Sequence, residues 1–200
     1  MSKWIVVAAV VPALIAGGCD EGTTTSKGRA PTPAGRMAPK AGDANPATQR
    51  AAAIYASVIR RLVTRDHTFG GADPGFEVVY VIDGPATHAG DPIGPAPPAA
   101  PFDSAVKDAM QRALADLPPI EFVRRRASVI VGTNGGKAAG SVKGRGVVLT
   151  LGPIRGGEAK VRVAASLWLS PLGGQWLTYV VRLRGERWTV TGTTGPIVIS

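Results

Sequence analysis

One cysteine, two histidines and a scatter of carboxylates are the residues of this chain that could do chemistry beyond packing. His67 follows Asp66, and His88 lies three residues before Asp91, so each imidazole has a carboxylate near it in sequence. Zinc needs three or four such ligands converging on one point. The apolar run between the two loops, residues 76–82, is about 23 Å long if it is a strand. The loops are therefore expected to leave opposite ends of a sheet, and neither a shared metal site nor a cofactor is expected. Glu77 interrupts that run; burial there would raise its pKa, whereas a half-exposed strand face would leave it inert. The carboxylates Glu121, Glu158 and Glu186 are scattered, and no pair can be set at the separation glycoside hydrolysis requires. No G-x-S-x-G elbow is present, and Ser141 stands in a glycine-rich segment. That segment, residues 132–146, superficially resembles a phosphate cradle. It has too few residues before Gly136-Lys137, and Ala138 stands where Ser or Thr must hold magnesium. It reads instead as a basic loop, with Lys137, Lys143 and Arg145 available for weak polyanion contact.

The elements that must position these residues follow from periodicity. Asn45-Pro46 is a cap followed by proline at the first helical position. Ala51, Ile54, Tyr55, Val58, Ile59 and Leu62 then fall on one helical stripe, predicting a helix to about residue 63. Residues 76–82 predict a buried strand, and residues 84–101, rich in proline, a long irregular connection. Asp103 caps a second helix in which Val106, Met110, Ala113, Leu114 and Leu117 share a face, ended by Pro118-Pro119. Strands are expected near residues 120–123 and 128–131, with Arg124-Arg125-Arg126 between them as a solvated edge that discourages pairing with other chains. Residues 147–151 read as a strand, and residues 159–169 alternate, with Val161, Val163, Ala165, Leu167 and Leu169 on one face and Lys160, Arg162, Ala164, Ser166 and Trp168 on the other. Leu177, Tyr179, Val181 and Leu183 alternate again, with Thr178, Arg182 and Arg184 opposite. Gly185-Glu186 fits a two-residue hairpin turn, Trp188 and Val190 continue the buried face, and residues 197–199 add a short last strand.

Two helices followed by a meander of about four strands predict an α+β fold, with the helices on one face of a largely antiparallel sheet. In element order this resembles the cystatin-like and NTF2-like curved sheets, a likeness that assigns no function.

The remaining chemistry is the thiol. Lys3 precedes an apolar run of residues 5–15, closed by the small residues Ala16, Gly17 and Gly18, the layout of a secretory signal peptide. The run is shorter than the roughly 17 to 25 residues a spanning helix needs. Ala16-Gly17-Gly18-Cys19 resembles the bacterial lipobox, with Ala16 where Leu is usual. The resemblance implies cleavage before Cys19, lipid attachment to its sulfur, and acylation of the new amine. It gives a signal peptide (1–18), a lipidated tether (19–45) and a single α+β domain (46–200). The implied location is the outer face of the bacterial cytoplasmic membrane, and Asp20 resembles a retention signal there. The tether is poor in large apolar residues, so it cannot offset its ordering entropy, and as a coil it spans about 30 Å.

Beyond Cys19 there is no further cysteine, which excludes disulfides and thiolate metal sites from the domain. Of the 23 Lys and Arg, 22 follow the leader, against all 14 acidic residues, a formal +8. Such a surface suits anionic headgroups or an anionic wall polymer, or another envelope protein; nucleic acid is not an expected partner of an exported chain. Residues 54–62, 66–70 and 146–154 and the ending Trp188-Thr189-Val190-Thr191-Gly192-Thr193-Thr194-Gly195 resemble a family of exported bacterial proteins without an assigned activity. The reading that results is a non-enzymatic, lipid-anchored binding or envelope-interaction module. The alternative, an envelope hydrolase or metal-dependent enzyme, requires His67, Asp66 or Glu77 to face one cleft.

Overall fold

In a computed structural model of the 200-residue chain, the described residues are 45–67, 74–132 and 140–200. Cys19, the tether and Lys137 lie outside them. Helix α1 (Pro46–Thr64) starts where the cap predicts: the Asn45 side chain accepts from the Ala47 N–H at 3.0 Å, with Pro46 in the first turn. Its buried face, Ile54, Tyr55, Val58, Ile59 and Leu62 with Ala52, Ala56 and Val63 beside them, is the predicted stripe broadened by small residues. Strand β1 (Val78–Ile82) follows, then α2 (Ser104–Ala113), capped by the Asp103 side chain on the Ala105 N–H at 2.8 Å.

Helix α2 ends four residues short of Leu117, and Ala113 is exposed. Leu117 precedes Pro118, whose ring excludes the helical conformation there. The Arg60 guanidinium, from α1, takes the freed carbonyl of Ala113 at 2.9 Å and both carboxylate oxygens of Asp116 at 2.5 and 2.7 Å. One arginine thus caps α2 and fastens it to α1. Its hydrogen bonds hold the Asp116 carboxyl down to about 2.

Strand β2 (Ile120–Val123) is followed by a 3₁₀ turn (Arg126–Val129) and by β3 (Ile130–Val131), which pairs with β4 (Ser141–Val142) as a separate two-stranded sheet. Of the strand expected over 128–131, residues 130 and 131 form β3, while 128 and 129 belong to the turn, closed by the Ser128 hydroxyl on the Arg125 carbonyl at 2.7 Å. Strands β5 (Gly146–Leu151), β6 (Arg155–Gly156), β7 (Lys160–Ser170), β8 (Gly173–Arg184) and β9 (Arg187–Ile199) complete the main sheet. Its order is β2-β1-β5-β7-β8-β9, with β6 beside β7. From β5 onward every pairing is antiparallel, as expected of the meander. The sheet is nonetheless mixed, since β1 runs parallel to both β2 and β5. Helix α2 supplies the crossover that a parallel β1–β2 pair needs.

All five residues of β1 are buried, the mark of a strand covered on both faces. On one face Val79, Val81, Val147, Leu149, Val163, Leu167 and Tyr179 pack under the two helices. On the other, Val78, Tyr80, Ile82 and Val148 pack with Val129 and Val142 of the 3₁₀ turn and the small hairpin. The connection over residues 84–101 covers a further part of that far face, with the Ala86 N–H on the Leu151 carbonyl at 2.8 Å and Gly90 against Ala164 and Leu177. Its ends are drawn together by Asp83, which accepts from the Phe102 N–H at 3.1 Å and from the Lys107 ammonium at 3.2 Å. Gly84, at φ +127, lies so close to the Ala100 carbonyl that a Cβ would sit 2.1 Å from its oxygen.

Candidate polyanion-binding face

Strands β7 and β8 alternate as the sequence predicts. Val161, Val163 and Val181 enter the core, which sends Lys160, Arg162, Arg182 and Arg184 out through the far face, all of them exposed. The register then sets cations against each other. Lys160 is the direct partner of Arg182, Arg155 of β6 is the direct partner of Arg162, and Arg184 stands across the hairpin end from Arg187. Like charges directly opposite one another destabilise a sheet. None of the six forms an ion pair with a carboxylate among the described residues. The nearest acids in sequence, Glu158 and Glu186, are exposed in the connecting turns.

His88, at φ +60, overhangs this patch and lines a shallow cleft of about 460 Å³ with Arg155, Arg162 and Thr178. Clustered exposed guanidinium forks of this kind match phosphate and carboxylate oxygens in geometry and in charge. They also project an attractive field beyond contact distance.

The residues singled out from sequence lie elsewhere. Lys143 places its ammonium 5.5 Å from the Tyr80 ring centre, and the Arg145 guanidinium is 3.5 Å from the Glu77 carboxylate. Both line a cleft that also includes Leu169 and Ser170, at the far end of β7 from Lys160, roughly 30 Å away along the strand. Glu77 precedes β1 and is exposed.

Asp66 is engaged: its Oδ2 accepts from Arg61 Nε at 2.8 Å and from the Tyr179 hydroxyl at 3.0 Å, tying the end of α1 to β8. Burial and the neighbouring Asp66 charge push the Tyr179 phenol far above its ordinary range. His67, next to Asp66, is buried. Asp91 closes its own turn by accepting from the Ile93 N–H at 2.9 Å. Asp66 reaches the helix side of the sheet, while His88 lies against residues of the far side. What separates the two His–Asp pairs is thus the sheet itself and not, as expected, the length of one strand, since Asp66 bonds Tyr179 and His88 lies beside Thr178, the neighbouring residue of β8. Among the described residues, no three His, Cys, Asp or Glu side chains gather as a metal would require.

No family model, curated protein or solved structure gives a significant match to this chain. The site therefore rests on its own geometry. A larger groove, about 870 Å³, runs between α1 and the start of β9 past Arg60, Arg61, Arg65, Arg187 and Trp188. It is a less suitable anion site, because Arg60 and Arg61 already hold Asp116 and Asp66. Sequence reasoning did not single out the sheet-face cluster as a site, although its signal was present. Lys160 and Arg162, and Arg182 and Arg184, are outward positions on consecutive alternating strands, and only the register between those strands was lacking.

Proposed function

We propose that this chain is an exported bacterial lipoprotein, held by lipid on Cys19 at the outer face of the cytoplasmic membrane. Its domain acts as a binding module for an anionic envelope surface, and not as a catalyst. The observation that carries the proposal is the far-face cluster of Arg155, Lys160, Arg162, Arg182 and Arg184, in which the register opposes cation to cation without a neutralising acid among the described residues. Such opposition costs stability, and an anionic surface on which the face rests offsets that cost. A tether spanning about 30 Å lets the domain lie back on the membrane or reach into the wall. The ligand chemistry in either case is phosphate or carboxylate repeated along a surface.

Two measurements test this. Mass analysis of the protein extracted from bacterial membranes should find Cys19 at the new N-terminus carrying acyl mass; an unmodified thiol there, or cleavage elsewhere, contradicts the anchor. For the face, the chain from Asp20 onward should sediment with vesicles containing phosphatidylglycerol or with a polyglycerol phosphate polymer. It should stay in solution with neutral vesicles, and it should release as salt rises.

A further inference from the structure

The three consecutive arginines that follow β2 are not merely a charged edge. Arg124, Arg125 and Arg126, all exposed, line a half-open pocket of about 230 Å³ whose other walls include Ile82, Pro97 and Thr150. No acidic residue lines it, and none of the three arginines forms an ion pair among the described residues. Thr150 is only 7% exposed, and its hydroxyl, which bonds no described residue, keeps contact with solvent and so is open to a ligand. The Arg126 guanidinium is already braced, 4.6 Å from the centre of the Trp168 ring. The opposite wall is fixed as well. Within it the Ala96 N–H donates to the Thr87 carbonyl at 3.0 Å, and Gly84 locks the base of the connection against Ala100.

We propose that this cavity is a binding site for a small organic carboxylate with an apolar body, distinct from the cationic sheet face. The arginine forks take the carboxylate in the planar, two-point manner that guanidinium groups favour. Thr150 supplies a hydroxyl, and the proline wall covers the apolar part. The volume falls below the roughly 300 to 1,000 Å³ of sites for drug-sized ligands, so the occupant is a one-ring or short-chain acid rather than a polymer or a lipid headgroup with its acyl chains.

The test is a titration of the full chain in detergent with benzoate, following the Trp168 indole N–H resonance by NMR, with benzamide as the uncharged isostere. Benzoate should move that resonance saturably with a Kd of about a millimolar, the range open to so small a ligand, and benzamide should not. Arg124→Gln with Arg125→Gln should weaken benzoate at least fivefold. Arg162→Gln with Arg182→Gln, on the sheet face, should leave it unchanged while weakening vesicle binding about tenfold. Because those arms read different residues, failure here leaves the sheet-face proposal standing, and the reverse also holds. A linear, unsaturated response, equal binding of benzamide, or a loss below fivefold in the first pair of substitutions would overturn the site.

Discussion

The carboxylate of Asp66 shows how one residue can join two elements and be closed to chemistry by the same contacts. It takes hydrogen bonds from Arg61 and from the buried Tyr179 hydroxyl on a single oxygen. The two ends of this network should respond unequally to mutation. Tyr179→Phe leaves Asp66 bonded to Arg61 and should cost about 1 kcal/mol, whereas Asp66→Ala strands a buried hydroxyl and should cost about 2 to 3 kcal/mol. Urea unfolding of both variants checks this, and the reverse order would show that Asp66 does not hold the helix. Tyr55 gives a second prediction. Burial pushes its phenol up to about 12, while its hydroxyl lies 3.2 Å from the Gly152 carbonyl. Folding favours the neutral form, so the contribution is complete below the ordinary tyrosine pKa of about 10 and is lost as pH rises through about 12. Unfolding free energy should fall across that window, and Tyr55→Phe should make the fall shallower. From sequence, Tyr55 was legible as core through its place in the helical stripe. The engagement of Asp66 was not, because its partner Tyr179 is 113 residues away.

Among the elements, those with a strong period were legible and those without one were not. Helix α1 and strands β7 and β8 fall where alternation puts them, because a half-buried element writes its exposed face into the sequence. Strand β1, covered on both faces, is an unbroken apolar run, and such a run carries no information about the direction of its neighbours. Its parallel pairing with β2 and β5 was therefore invisible. Strand β9 was expected in two pieces, one carrying Trp188 and Val190 and a short one over 197–199, and Gly192, Gly195 and Pro196 lie between them. It runs from Arg187 to Ile199 with two register shifts, as an edge strand can tolerate. At this scale the glycine at the base of the far-face connection should be irreplaceable. Gly84→Ala adds both a left-handed strain and a clash with the Ala100 carbonyl, and should destabilise by about 2 kcal/mol or more; a neutral effect in thermal unfolding would contradict the closure described. The cationic register makes the opposite prediction. Arg182→Thr removes the charge facing Lys160 and should stabilise the fold by a few tenths of a kcal/mol while weakening anion binding, a trade expected where a site is kept at the expense of stability.

For the whole molecule, a basic domain, a low-complexity tether and a thiol after an apolar leader form one arrangement. In the proposed function, lipid on Cys19 would hold the chain, the tether would set its reach, and the charged sheet face would decide what it rests on. Legibility at this scale was uneven. The net charge and the Cys19 motif were plain in the sequence, but the positions first considered for polyanion contact, Lys143 and Arg145, turn out to face Tyr80 and Glu77. Charge count shows that a basic face exists, and strand register shows where. A headgroup contact of this kind contributes about 1 kcal/mol per basic residue near the surface. The most direct measurement is therefore sedimentation of the chain from Asp20 onward with phosphatidylglycerol vesicles at low salt, for the wild-type sequence and for Lys160→Gln, Arg162→Gln, Arg182→Gln and Arg184→Gln combined. The account predicts that the fourfold variant stays folded and loses more than tenfold in affinity, whereas Lys143→Gln with Arg145→Gln loses little. Equal binding by the fourfold variant and the wild type would contradict it, and would place the anionic contact on another face of the molecule.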